Sequence, residues 1–107
     1  MIAWFYLLSA IVFEVGGTTA MKMSDGFTKT TPSVMMGIFY ILSLTALTFA
    51  LKRFDVSMAY AIWSGVGTAL ITIVGFYLFK EDMSIVKIIS IGFIILGVVG
   101  LHLSSNS

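Results

Sequence analysis

The 107-residue sequence has no cysteine, a single proline, and charged residues at only 10% of its positions. The missing cysteine excludes disulfide staples and thiolate metal sites. The shortage of charge excludes more. Soluble domains are about 25% charged and about 45–50% apolar, whereas this chain is 59% hydrophobic. A soluble chain of this size could not hide that much apolar surface inside one core. Net charge is +1 with no basic block, so nucleic acid is not an expected partner. With no nucleophile–base pair and no cluster of metal-ligating residues, neither an enzyme nor a cofactor is expected.

What is present is four long apolar runs: Ile2–Met21, Ser33–Leu51, Met58–Phe79 and Ile85–Leu103. Crossing a hydrocarbon core takes about 20 mostly apolar residues in a helix. Helices are expected rather than strands, because isolated strands leave backbone groups unsatisfied in lipid. The chain therefore reads as an all-α integral membrane protein, a single four-helix transmembrane domain over residues 1–107. The connections, Lys22 to Thr31, Lys52 to Asp55 and Lys80 to Ser84, hold almost all the charge. Asp25-Gly26 reads as a turn, and Pro32 suits the first turn of the second helix. Lys87, just inside the fourth run, can snorkel to the interface. The first run carries Glu14 and lacks a basic leader, so a cleavable signal is not expected. Lys22, Lys29, Lys80 and Lys87 fall on one side of the bilayer, against Lys52 and Arg53 on the other. That bias is weak by the positive-inside rule, and it permits insertion either way up.

Of the five acidic residues, Glu14 alone lies deep in a run. It stands about 18 Å along a helix of about 30 Å, near the midplane. An ionisable group at that depth marks a functional site by default. Hydrocarbon favours a neutral acid over a carboxylate, and a nearby cation reverses the preference. One such carboxyl can hold a proton or a cationic guest in turn. The competing reading is a neutral acid hydrogen-bonded between helices. Ala10, Gly17 and Thr18 share the Glu14 face at helical spacing, leaving room for a ligand or a closely packed helix.

In the third run Tyr60, Trp63, Ser64 and Gly67 form one stripe. Aromatic faces beside a carboxylate suit a lipophilic cation; the plainer reading is an interfacial aromatic belt, which suits Trp4, Phe5, Tyr6 and Phe79 better than Trp63. Tyr40 can add a phenol to the same chamber. Gly65 and Gly67 mark an expected bend point, or else close packing without motion. Ser90 and Gly97, seven residues apart in the fourth run, form a small-residue seam for another helix, which Gly92 and Gly100 widen. His102 has no assigned role.

Together these residues resemble the small multidrug resistance transporters, along essentially the whole chain. The resemblance is carried by Glu14-Val15, Gly17-Thr18-Thr19, Met21-Lys22, Gly26-Phe27-Thr28, Pro32-Ser33 and the nine-residue run Ala59-Tyr60-Ala61-Ile62-Trp63-Ser64-Gly65-Val66-Gly67. It implies an antiparallel dimer in a bacterial plasma membrane, made of identical or of paired related subunits. Both copies of Glu14 would face one site open alternately to each side, with proton entry driving out toxic cations. It also implies that Glu14 is the shared proton and cation site, that Trp63, Tyr60 and Tyr40 are aromatic wall, and that Ser64 and Thr18 are polar supports. Gly16-Gly17 stands where the guanidinium-selective branch has a tryptophan, which resembles the quaternary-ammonium and multidrug branch. Asp55 and Ser57 replace the usual Pro and Gly before the third helix, and Ser90 replaces a Gly in the fourth.

The leading expectation is thus a proton-coupled exporter of lipophilic or quaternary ammonium cations. The alternatives are an exporter of guanidinium-type or choline- and betaine-like metabolites, and a non-transporting proteolipid subunit.

Overall fold

The computed structural model describes residues 2–105, leaving Met1, Asn106 and Ser107, the outermost residues of the expected 1–107 domain and its tail, outside the description. The described residues form four helices and no strand: α1 (Ile2–Met23), α2 (Thr30–Ala50), α3 (Val56–Leu78) and α4 (Ile85–Ser105). Each is long and apolar enough to cross a bilayer. Four runs, each closing its own backbone hydrogen bonds, satisfy the requirement lipid imposes.

The boundaries depart from the expected spans by no more than a turn, for local reasons. α1 continues past Met21 to Met23, because Lys22 in its last turn favours the negative end of the helix dipole. α2 starts at Thr30 rather than Ser33, which leaves Pro32 in the first turn, where a missing N–H is harmless. α3 stops at Leu78 because Lys80 takes a left-handed φ of 56°, which no helix continues through.

Two of the turns are built around one residue each. Between α1 and α2, Asp25, Gly26 and Phe27 have φ of 50°, 70° and 67°. Ser24, 1% exposed, makes this run possible. Its hydroxyl donates to the Met21 carbonyl at 2.7 Å and accepts the Phe27 N–H at 3.1 Å, while its own carbonyl accepts from the Thr28 and Lys29 N–H groups. The sequence marked Asp25-Gly26; the buried hub is the serine before it. At the end of α3, the Gly75 carbonyl accepts both the Phe79 and Glu81 N–H groups. The Glu81 side chain then folds over Gly75, in the space a Cβ would need.

The chain divides into two compact units, Met1–Phe54 and Asp55–Ser107. In the first, α1 and α2 run antiparallel, as the pairing of early with late residues shows. Trp4 meets Phe54, Tyr6 meets Phe49, and Phe13 meets Phe39. In the second, α3 packs on α4 through bare glycine: a Cβ on Gly65 would lie 2.8 Å from Val98 Cγ2 and 3.8 Å from Ile94 Cγ2. Lipid tails are as apolar as leucine, so neither pairing is driven by a hydrophobic difference. Close packing holds both, and hydrogen bonds between helices add to it in the first unit.

Candidate functional site

Glu14 lies half-buried in the middle of α1. Thr18, one turn on, donates its hydroxyl to Glu14 Oε2 at 2.6 Å. The i, i+4 spacing places the two side chains on one face. Thr18 Oγ1 is also 2.8 Å from the Tyr40 hydroxyl on α2. Threonine has one hydroxyl hydrogen, which goes to Glu14, so Tyr40 is the donor to Thr18. The result is a directed chain, Tyr40 to Thr18 to Glu14, every hydrogen pointing toward the carboxylate. The partner of Glu14 is a neutral hydroxyl, not a cation.

Two glycines let Tyr40 reach across. A Cβ on Gly17 would lie 3.3 Å from Tyr40 Cε1 and Cζ, and one on Gly16 would lie 3.5 Å from the Phe39 ring. The bare backbone of α1 is thus the seat of the Phe39-Tyr40 pair. Of the two uses open to small residues on the Glu14 face, the first unit realises a closely packed helix.

The same face holds a residue that sequence reasoning missed. Ser43, 1% exposed, donates to the Ala10 carbonyl at 2.7 Å. In an α-helix that carbonyl also accepts the N–H of residue 14. Ser43 therefore ties α2 to α1 one turn below Glu14 and sets the register that brings Tyr40 opposite Thr18. A signal was there to find: Ser43 is a polar residue inside an apolar run, three residues from Tyr40 and so on its face.

The remaining expected residues lie in the second unit. Tyr60, Trp63, Ser64 and Gly67 are all on α3, at the spacing of one stripe. Tyr60 is 71% exposed, Trp63 is half-buried and Ser64 is exposed. Gly65 and Gly67 are buried, and α3 runs through them without a break. On α4, Ser90 and Gly97 are exposed, and a Cβ on Gly97 would meet nothing within 4 Å. Among the described residues no group of three or more His, Cys, Asp or Glu side chains could hold a metal ion.

Four helices able to span a membrane, with one acid in the middle of the first and a hydroxyl donating to it, fit the class of small membrane transporters. A profile described as Small Multidrug Resistance protein matches residues 2–94. The chain is 57% identical over 100 residues to the uncharacterized membrane protein YvaE of Bacillus subtilis, covering 94% of this chain and 84% of that one. It is 39% identical to the quaternary ammonium compound-resistance protein QacE of Escherichia coli, over all of this chain and 97% of the other. It is 36% identical to a guanidinium exporter of Salmonella typhimurium, over 97% of this chain and 99% of that protein. The chain belongs to the small multidrug resistance family. It is a multi-pass bacterial membrane protein that exports small molecules, and not an enzyme.

Proposed function

We propose that this protein exchanges protons for small lipophilic organic cations, quaternary ammonium and aromatic cations above all, across the plasma membrane. The observation that carries the reading is Glu14 itself: a half-buried carboxyl at mid-span whose partner is a neutral hydroxyl. A carboxylate in lipid without a resident cation must take up either a proton or a positively charged guest. The two exclude each other at one side chain, and that exclusion couples their flows.

The hydrogen-bond chain supplies the switch. With Glu14 ionised, Tyr40 and Thr18 both donate toward it. When Glu14 takes a proton on Oε2, that oxygen becomes a donor, so Thr18 must turn its hydrogen to Tyr40 and the chain reverses. A cation that displaces the Thr18 hydroxyl frees the same pair to face the guest. Tyr60, Trp63 and Tyr40 serve as aromatic wall and Thr18 and Ser64 as polar supports, with Gly65 and Gly67 as a bend in α3. The working unit is an antiparallel dimer of this chain, or of this chain with a related subunit, joined along the Ser90 and Gly97 seam. QacE supports the quaternary ammonium reading.

A second reading has its own support. The Thr18 hydroxyl on Glu14 and the Tyr40 hydroxyl behind it are hydrogen-bonding groups, and such groups suit a guanidinium-type guest, in keeping with the relative named as a guanidinium exporter. Solid-supported membrane electrophysiology on purified protein separates the two. Tetraphenylphosphonium and quaternary ammonium should give transport currents well above those of guanidinium, choline or betaine. Currents for guanidinium alone would reverse the assignment. Trp63→Gly should weaken binding of a bulky aromatic cation, and unchanged affinity would remove Trp63 from the wall.

A further inference from the structure

Away from Glu14, the first unit carries a cavity of about 690 Å³ where α1 begins and α2 ends. It is lined by the apolar Ile2 and Ala3, the aromatics Trp4, Tyr6, Phe49 and Phe54, and the cations Lys52 and Arg53. Among the described residues no carboxylate lines it. The rings form two pairs, Trp4 edge-on to Phe54 at 4.9 Å between centroids and Tyr6 tilted against Phe49 at 5.3 Å. Lys52 Nζ stands 5.2 Å from the centre of the Phe49 ring. Both cations are exposed.

We infer that this cavity binds the headgroup of an anionic phospholipid. Three features favour that ligand. The cavity lies at the ends of two membrane-spanning helices, at the depth of lipid phosphates, where Trp and Tyr rings settle by preference. Two basic side chains meet there without a carboxylate between them; the Arg53 fork suits two phosphate oxygens and Lys52 supplies a point charge. Deeper along the two helices the lining continues through Tyr6 and Phe49, whose rings suit the glycerol and the start of an acyl chain. A choline headgroup fits poorly, because Lys52 already stands over Phe49 and no acid is present to hold a second cation. The inference does not depend on Glu14 or on the transported substrate.

Brominated lipids in nanodiscs test it. The chain has two tryptophans, so Trp63→Phe leaves Trp4 as the reporter in the cavity wall. Brominated phosphatidylglycerol should quench Trp4 with roughly tenfold preference over brominated phosphatidylcholine at equal mole fraction. The double variant Lys52→Gln, Arg53→Gln should bring the two lipids to parity at unchanged helix content, and Lys52→Arg should retain the preference. Equal quenching in the unmodified cavity, or a preference that survives the double variant, overturns the inference. Relief of quenching by inorganic phosphate, against chloride at the same ionic strength, would mark a site for free phosphate and also overturn it.

Discussion

The two helix pairs of this small chain are held together by different means. α1 and α2 are joined by polar bonds, Ser43 to the Ala10 carbonyl and Tyr40 to Thr18, and by rings set against bare glycine. α3 and α4 meet where Val98 packs on Gly65. α4 is the most apolar of the four, and none of its described residues is buried. A hydrogen bond specifies rotation and register, because donor and acceptor must meet within a few tenths of an ångström. A valine on a glycine specifies only a distance of approach. The pair that holds Glu14 is thus the one whose geometry is pinned, and α4 keeps its apolar surface open to lipid or to another helix.

The sharpest way to break this contrast is Glu14→Gln. The amide still accepts from Thr18, so the α1–α2 pair should fold as before. Uphill cation movement driven by an imposed pH gradient should disappear in proteoliposomes. Persistent uphill transport would show that the polar pair does not hold the coupling site.

The next largest effect belongs to the second unit. Gly65→Ala places a Cβ 2.8 Å from Val98 Cγ2, and a β-branched side chain has little rotamer freedom to yield. A loss of about 1–3 kcal/mol is expected, read by denaturant titration in mixed micelles. Val98→Ala in the same chain should restore most of it. Without that rescue, the contact does not hold the pair.

Ser43→Ala is expected to cost less, about 0.6 kcal/mol, the average of hydrogen bonds between helices in membranes, and no more than about 1.7 kcal/mol. Its distinguishing consequence is a change in register: the Tyr40 ring should lose its fixed contact with Thr18, visible as exchange broadening of the Tyr40 resonances. A stability loss with Tyr40 unmoved would reduce Ser43 to simple glue.

The smallest effect is expected on α4. Gly92→Ala meets nothing within 4 Å and should shift protomer stability by no more than about 1 kcal/mol, the intrinsic helix difference between the two residues. A large loss would show that this face is covered in the working assembly.

Much of the fold was legible in the residues. Each span announced itself by length and apolar content, and the observed ends of α1 and α2 differ because Lys22 and Pro32 are compatible with a helical turn as well as with a loop. The turn between α1 and α2 was legible at Asp25-Gly26, while its hub, Ser24, was not, since burial of a loop serine follows from how the chain folds over it. In the site, Glu14 and Thr18 could be paired by i, i+4 spacing alone. Tyr40 could be named as a neighbour but not joined to Thr18, and Ser43 went unnoticed, because both bonds cross between helices.

The order of residues by itself determined that this chain is helical, spans a bilayer four times and carries one acid at mid-depth. Those outcomes follow from local quantities: the length of an apolar run, the rise per residue, and the need of each backbone group for a partner within its own segment. Only the tertiary structure decided that Tyr40 reaches Thr18, that Ser43 ties α2 to the Ala10 carbonyl, and that Gly16 and Gly17 seat the rings of α2. Such contacts depend on how two helices are rotated and shifted against each other, and no spacing along a single helix encodes that.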